Sequence, residues 1–157
     1  MDQIEHKLQV LSRIAKELNQ KKLTWAVGAS LLLYFKGIVP NFHDIDIMVT
    51  EDDVNEAKAV LLSFGTMQPP SPNIRYKTKY FMEFIVEGVE IDVMAGFVIM
   101  NHNKEYQISF GKADIKEYIQ ILDVSIPLQS VEAWRTYYQL MGRDEKVKII
   151  DAEACFS

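Results

Sequence analysis

The sequence predicts an α+β fold: a mixed β-sheet with helices packed against it, opened by an N-terminal helix and closed by C-terminal helices. Three patterns carry that prediction. Residues 2–20 set Ile4, Leu8, Leu11, Ile14, Ala15 and Leu18 at helical spacing, the stripe of an amphipathic helix. Segments 44–49 and 89–97 alternate apolar and other residues with the two-residue period of a strand. Helical patterns at 50–65 and 130–154 are interspersed with strand-like segments, the order expected when helices lie on a sheet.

In chain order, the first helix is followed by a short strand, LTWAV (23–27), then the small residues GAS, then a short helix, LLLYFKG, that Gly37 stops. DIDIMV (44–49) is the next strand. The helix after it takes Thr50 as its N-cap, has acids in its first turn, and ends at Gly65. TMQPPSPN is Pro-rich and reads as a loop. IRYKTKYFMEFIV and VEIDVMAGF read as two strands joined in a hairpin at Glu87-Gly88. YQISF and IQILDVSIPL add further strand character. SVEAWRTYYQLMG is a helix with Ser130 in the capping position and Ala133 where a capping box would have Glu or Gln; RDEKVKIIDAEA is the last helix.

Length and composition narrow the function. The chain has 157 residues, the size of one ordinary domain, so residues 1–157 are expected to form a single unit. A net charge of −5 argues against a nucleic-acid partner, which needs a basic surface. One cysteine, Cys155, allows neither an internal disulfide nor a cysteine zinc site, so the cytoplasm is the expected compartment. The N-terminus lacks the apolar core of a signal peptide, and WAVGASLLLYF is too short to span a bilayer.

The chemistry is concentrated in two strands. In DIDIMV, Ile45, Ile47 and Val49 share one face, leaving Asp44, Asp46 and Met48 on the other. In VEIDVMAGF, Val89, Ile91 and Val93 face a core and Glu90, Asp92 and Met94 face away. Ionised carboxylates brought this close repel unless a positive charge sits between them. Mg²⁺, with Mn²⁺ as a substitute, takes oxygen ligands from a few carboxylates and from substrate phosphates. VGASLL adds a strand, Gly28 and small residues before a helix start, a geometry suited to phosphate.

These three segments, in this order, resemble the nucleotidyltransferase superfamily of DNA polymerase beta type, in particular its small bacterial and antibiotic-modifying members. The resemblance rests on AVGASLL, HDIDIMV and EIDVM and covers residues 23–96, with a weaker likeness in 130–152. It implies a nucleotidyltransferase-like sheet. It also implies that Gly28, Ala29 and Ser30 bind the triphosphate, that Asp44 and Asp46 bind the metal, and that Asp92 completes the metal site and helps deprotonate the acceptor. The partners so implied are a nucleoside triphosphate and an unknown hydroxyl acceptor, on a small molecule or a protein, with a homodimer as one way to complete the acceptor site.

Two features point to a rival reading, a regulatory module such as an antitoxin that keeps the fold without the activity. Ala29 stands where the family often has Gly or Ser, and PNFH precedes Asp44 where many small members carry Arg and Thr. A third reading is a phosphohydrolase using the same acids on water. Other polar residues read more plainly. Arg75, Lys77 and Lys79 share one strand face that suits a charged edge strand over contact with a triphosphate or an acidic acceptor, and Arg143 and Lys146 suit a solvated helix junction over contact with phosphate. His6, His43 and His102 are too scattered for zinc. Trp25, Tyr34, Phe35, Trp134, Tyr137 and Tyr138 suit a core.

Overall fold

The structure, a computed structural model, describes residues 3–70 and 78–154. Helix α1 (Gln3–Gln20) buries Leu11, Ile14, Ala15 and Leu18, as its periodicity requires. Strand β1 (Trp25–Gly28) runs directly into helix α2 (Ala29–Phe35). Gly37, at φ 74°, supplies the left-handed residue that ends α2, and the Ile38 N–H closes back on Leu33 O at 2.9 Å. Strand β2 (Ile45–Val49) follows. A single 3₁₀ turn (Glu51–Asp53) then precedes helix α3 (Val54–Phe64). Thr50 caps that turn by its backbone conformation without a side-chain bond. Asp53 instead accepts from the Thr24 N–H at 2.7 Å, tying the helix entrance to the residue before β1.

The loop expected at 66–73 contains a two-residue strand, β3 (Thr66–Met67), held by pairing with β4 (Tyr80–Val86). The expected strand 74–86 is seen from Tyr80 onward; Arg75 and Lys77 lie outside the described residues, as does Cys155. Strand β5 (Val89–Ala95) completes the hairpin. Glu87 and Gly88 both take positive φ, at 49° and 80°, as the tight two-residue turn needs.

Beyond Gly96 the expectation was coarser than the fold. A separate hairpin, β6 (Phe97–Asn101) with β7 (Lys104–Ile108), turns at His102-Asn103, and β7 starts two residues before the expected YQISF and ends at its Ile108. The segment IQILDVSIPL is two strands, β8 (Glu117–Ile121) and β9 (Val124–Leu128), folded at Leu122-Asp123. Helix α4 (Val131–Leu140) starts as its sequence predicts, with the Ser130 hydroxyl accepting from the Ala133 N–H at 3.0 Å; helix α5 (Asp144–Ala154) ends the described chain.

Seven strands form one mixed sheet in the order β3-β4-β5-β2-β1-β9-β8, with β2–β5 and β1–β9 parallel and the other pairs antiparallel. Helices α1 and α3 pack together and against the sheet, while α4 packs against α2 and β6. The core is therefore built by Ile45, Ile47, Ile91 and Val93 of the central strands with Leu11, Ile14 and Leu61 of the helices. Among the described residues no helix is long and apolar enough to cross a membrane.

Candidate active site

The register of the sheet assembles the site. Gly28 of β1 pairs with Asp46 of β2, Asp46 with Asp92 of β5, and Asp92 with Glu83 of β4. Side chains paired across neighbouring strands point to the same face, so three carboxylates and one glycine form a row across the sheet. Asp44, one residue before β2, joins them from the strand's entrance. Carboxylate oxygens of Asp44, Asp46 and Asp92 lie within 4.8 Å of one another.

The protonation equilibria of this cluster reflect its burial and its like charges. Burial pushes the Asp46 carboxyl well above its usual range, and the charges of Asp92 and Asp44 push it further. Asp92 is raised to about 7, first by burial and then by the charges of Asp44, Glu83 and Glu90. At an effective dielectric constant near 20, two unit charges separated by this distance repel by roughly 3 kcal/mol. A hard divalent ion placed among the carboxylates would offset this repulsion with an attraction to each of them. The donor set, three carboxylates and no sulfur, is the kind Mg²⁺ takes.

The carboxylates line a cavity of about 500 Å³. Ala29 and Ser30 line it too, so the structure brings Asp44, Asp46, Asp92, Ala29 and Ser30 to one place. Gly28 sits just behind. Its backbone is extended (φ −132°), so it is not glycine for conformational reasons. A Cβ there would stand 2.3 Å from Gln129 Oε1 and 2.4 Å from Trp134 Nε1. Those two groups hydrogen-bond each other at 2.8 Å in a buried contact. The glycine is thus a notch that seats the start of α4 against β1. Ala29 is the residue with left-handed backbone, at φ 53°, a conformation that costs a non-glycine residue about 1–2 kcal/mol. Such an outlier is the kind of strain found at ligand-binding turns.

Several site residues were not singled out by sequence reasoning or were read otherwise. Glu83 was missed, although the two-residue turn at 87–88 pairs Val86 with Val89 and hence Glu83 with Asp92. Gln129 was missed because its role depends on a partner five residues on and on a distant glycine. Arg143 and Lys146, read as solvated cations in preference to phosphate contacts, line the cavity; Arg143 bonds Glu145 at 2.8 Å and its guanidinium lies over the Tyr138 ring at 5.8 Å. Trp134 and Tyr138 are buried, as core residues should be, yet both also face the cavity.

Neither a protein-family model nor a curated protein matches the chain. Solved structures do. A candidate nucleotidyltransferase from Thermotoga maritima superposes with a TM-score of 0.74 at 23% identity, over 100% of this chain and 97% of that one. ANT(2")-Ia, solved with adenylyl-2"-tobramycin, gives 0.63 at 10% identity over 95% and 90% of the two chains. The lincosamide antibiotic adenylyltransferase LnuA, bound to lincomycin, gives 0.58 at 16% identity over 83% and 84%. The α+β architecture and its mixed seven-stranded sheet are therefore those of the small bacterial nucleotidyltransferase-like fold.

Proposed function

We propose that the chain is a metal-dependent nucleotidyltransferase that moves a nucleoside monophosphate from a nucleoside triphosphate to a hydroxyl of a small molecule or protein. One observation carries the reading: the Asp44, Asp46 and Asp92 oxygens converge within 4.8 Å in a cavity that Ser30, Arg143 and Lys146 also line. The likeness to ANT(2")-Ia and LnuA favours a small-molecule acceptor, and the adenylyl group seen with the former favours ATP as donor.

Asp44 and Asp46 would hold Mg²⁺ or Mn²⁺, with Asp92 completing the set. When bound, the ion supplies charge neutralisation for the cluster and for the incoming phosphates. The rest falls to the protein's own groups. Gly28, Ala29 and Ser30 receive the triphosphate, and Arg143 and Lys146 balance its charge. Asp92 takes the proton of the acceptor hydroxyl. That oxygen bonds to the α-phosphorus, the bond to the β-phosphate bridge breaks, and pyrophosphate leaves. We read the cytoplasm as the compartment and a homodimer as one arrangement that would complete the acceptor side.

A second reading has one observation in its favour. The left-handed Ala29 stands at the junction of β1 and α2, where the family often has Gly or Ser, which suits a binding or regulatory module, such as an antitoxin, that keeps the fold without the activity. Calorimetric titration with ATP, GTP, CTP and UTP, with and without Mg²⁺, tests the site. Magnesium-dependent binding in the wild type, weakened by about 100-fold or more when Asp44→Asn and Asp46→Asn are combined, is expected. Lack of binding to all four nucleotides by the folded protein would sink the enzyme reading. Pyrophosphate release that needs no acceptor other than water would point to a phosphohydrolase instead.

A further inference from the structure

At the rim of the same cavity lies a second donor set. His43 Nε2 and Glu90 Oε2 are 3.0 Å apart. Together with an oxygen of Asp44, they lie within 4.8 Å of one another. The set is built by the sheet: β2 and β5 run parallel with Ile45 opposite Ile91, so the residues just before that pair, Asp44 and Glu90, meet at the entrance of the two strands. His43 reaches across from the preceding position.

The chemistry of this set differs from that of the three aspartates. An imidazole nitrogen with two carboxylates is a poor match for Mg²⁺, which prefers oxygen alone. It suits first-row transition ions, whose affinity for nitrogen donors rises toward the end of the series. The spacing agrees. Two bonds of about 2.0–2.1 Å to one Zn²⁺ ion, at angles between right and tetrahedral, hold their donor atoms about 3 Å apart. The Nε2 and Oε2 atoms already stand at that separation. Asp44 has two oxygens and is common to both sets.

We propose that His43, Asp44 and Glu90 form a binding site for a transition-metal dication, exemplified by Zn²⁺, next to and distinct from the aspartate cluster. Because Asp44 is shared, occupancy of this rim site couples to whatever the cluster binds. The proposal stands on the donor geometry and does not require the transferase reading.

The test is calorimetric titration of the full chain with Zn²⁺ alone, without nucleotide, with Co²⁺ absorption as a spectroscopic check of nitrogen ligation. His43 and Glu90 are exposed by 80% and 54%, so His43→Ala and Glu90→Gln leave the core intact. Each is expected to weaken Zn²⁺ binding by about tenfold or more and to change the Co²⁺ spectrum. Asp92→Asn, outside the donor set, is expected to retain the site. Zn²⁺ affinity unchanged in both His43→Ala and Glu90→Gln would overturn the proposal, as would Zn²⁺ binding abolished by Asp92→Asn alone. A failure of Mg²⁺-dependent nucleotide binding in the separate titration would leave the Zn²⁺ result standing.

Discussion

Two groups of carboxylates in this molecule have opposite fates. Asp151 on α5 meets Arg135 on α4 in a two-pronged pair, with N–O distances of 2.6 and 2.9 Å. The hydrogen bond and charge of Arg135 hold its carboxyl below the usual range. Asp46 and Asp92, in the middle of the sheet, meet only other acids within the cluster, and both are pushed up. The first meets a matching cation on the surface it sits on. The second works against the strands that carry it. Those strands hold because their other faces bury Ile45, Ile47, Ile91 and Val93 completely or nearly so. Each such side chain contributes roughly 1.5–3 kcal/mol. A sheet with that reserve can carry a cluster of mutually repelling acids.

The sharpest way to break the contrast is Asp92→Asn. If Asp92 accepts the acceptor's proton, turnover falls by about 10²–10⁴-fold. Stability moves the other way. A carboxyl raised to about 7 in the folded protein holds its proton more tightly than in the unfolded chain. The metal-free wild type therefore loses stability as pH climbs from about 4 through 7, by roughly 4 kcal/mol at most, less whatever solvent screening removes, and changes little above that. Melting curves in chelator should show Asp92→Asn gaining on the wild type across this window, with Mg²⁺ narrowing the gap. A variant that melts below the wild type at pH 7 would mean that Asp92 is not strained by its neighbours.

Gly28→Ala strikes the junction between the two regions, since the notch at Gly28 seats the helix that carries Arg135. The new methyl group would crowd Gln129 and Trp134 and should destabilise the fold by about 1–3 kcal/mol, read from the denaturant midpoint. Adding Gln129→Ala should recover part of the loss. Wild-type stability in the single variant would show that the notch is loose.

Asp151→Asn is expected to have the smallest effect. Its pair is about half exposed, and exposed ion pairs contribute little. Because its carboxyl is held low, any stabilisation is present above the unfolded value near 4 and fades as pH falls, opposite in sign to Asp92. No measurable change in melting temperature at neutral pH is expected. A large loss would mean that the α4–α5 pair holds the cavity wall.

Much of this was legible in the chain. The helical stripe of α1, the cap at Ser130, the glycine that stops α2 and the turn at Glu87-Gly88 are local signals, written in neighbouring residues. The β6–β7 hairpin and the split of β8 from β9 were less legible. His102-Asn103 and Leu122-Asp123 adopt the positive φ of tight turns without the glycine that usually announces them. β3 is two residues long, and only its partner β4 makes it a strand.

The alternation of DIDIMV and VEIDVM was enough to say which side chains share a face, because the strand period is a property of the backbone itself. It was enough to nominate Asp44, Asp46 and Asp92 as one group. What it could not contain is which strand lies beside which. Parallel pairing of β2 with β5, with Asp46 opposite Asp92, depends on two segments separated by α3 and a hairpin strand. Its specification comes from burying the shared apolar face and not from any local motif. The same holds for Gly28 against Gln129 and Trp134, and for His43 against Glu90. Each joins residues that no short-range rule connects, so each existed only once the sheet had closed.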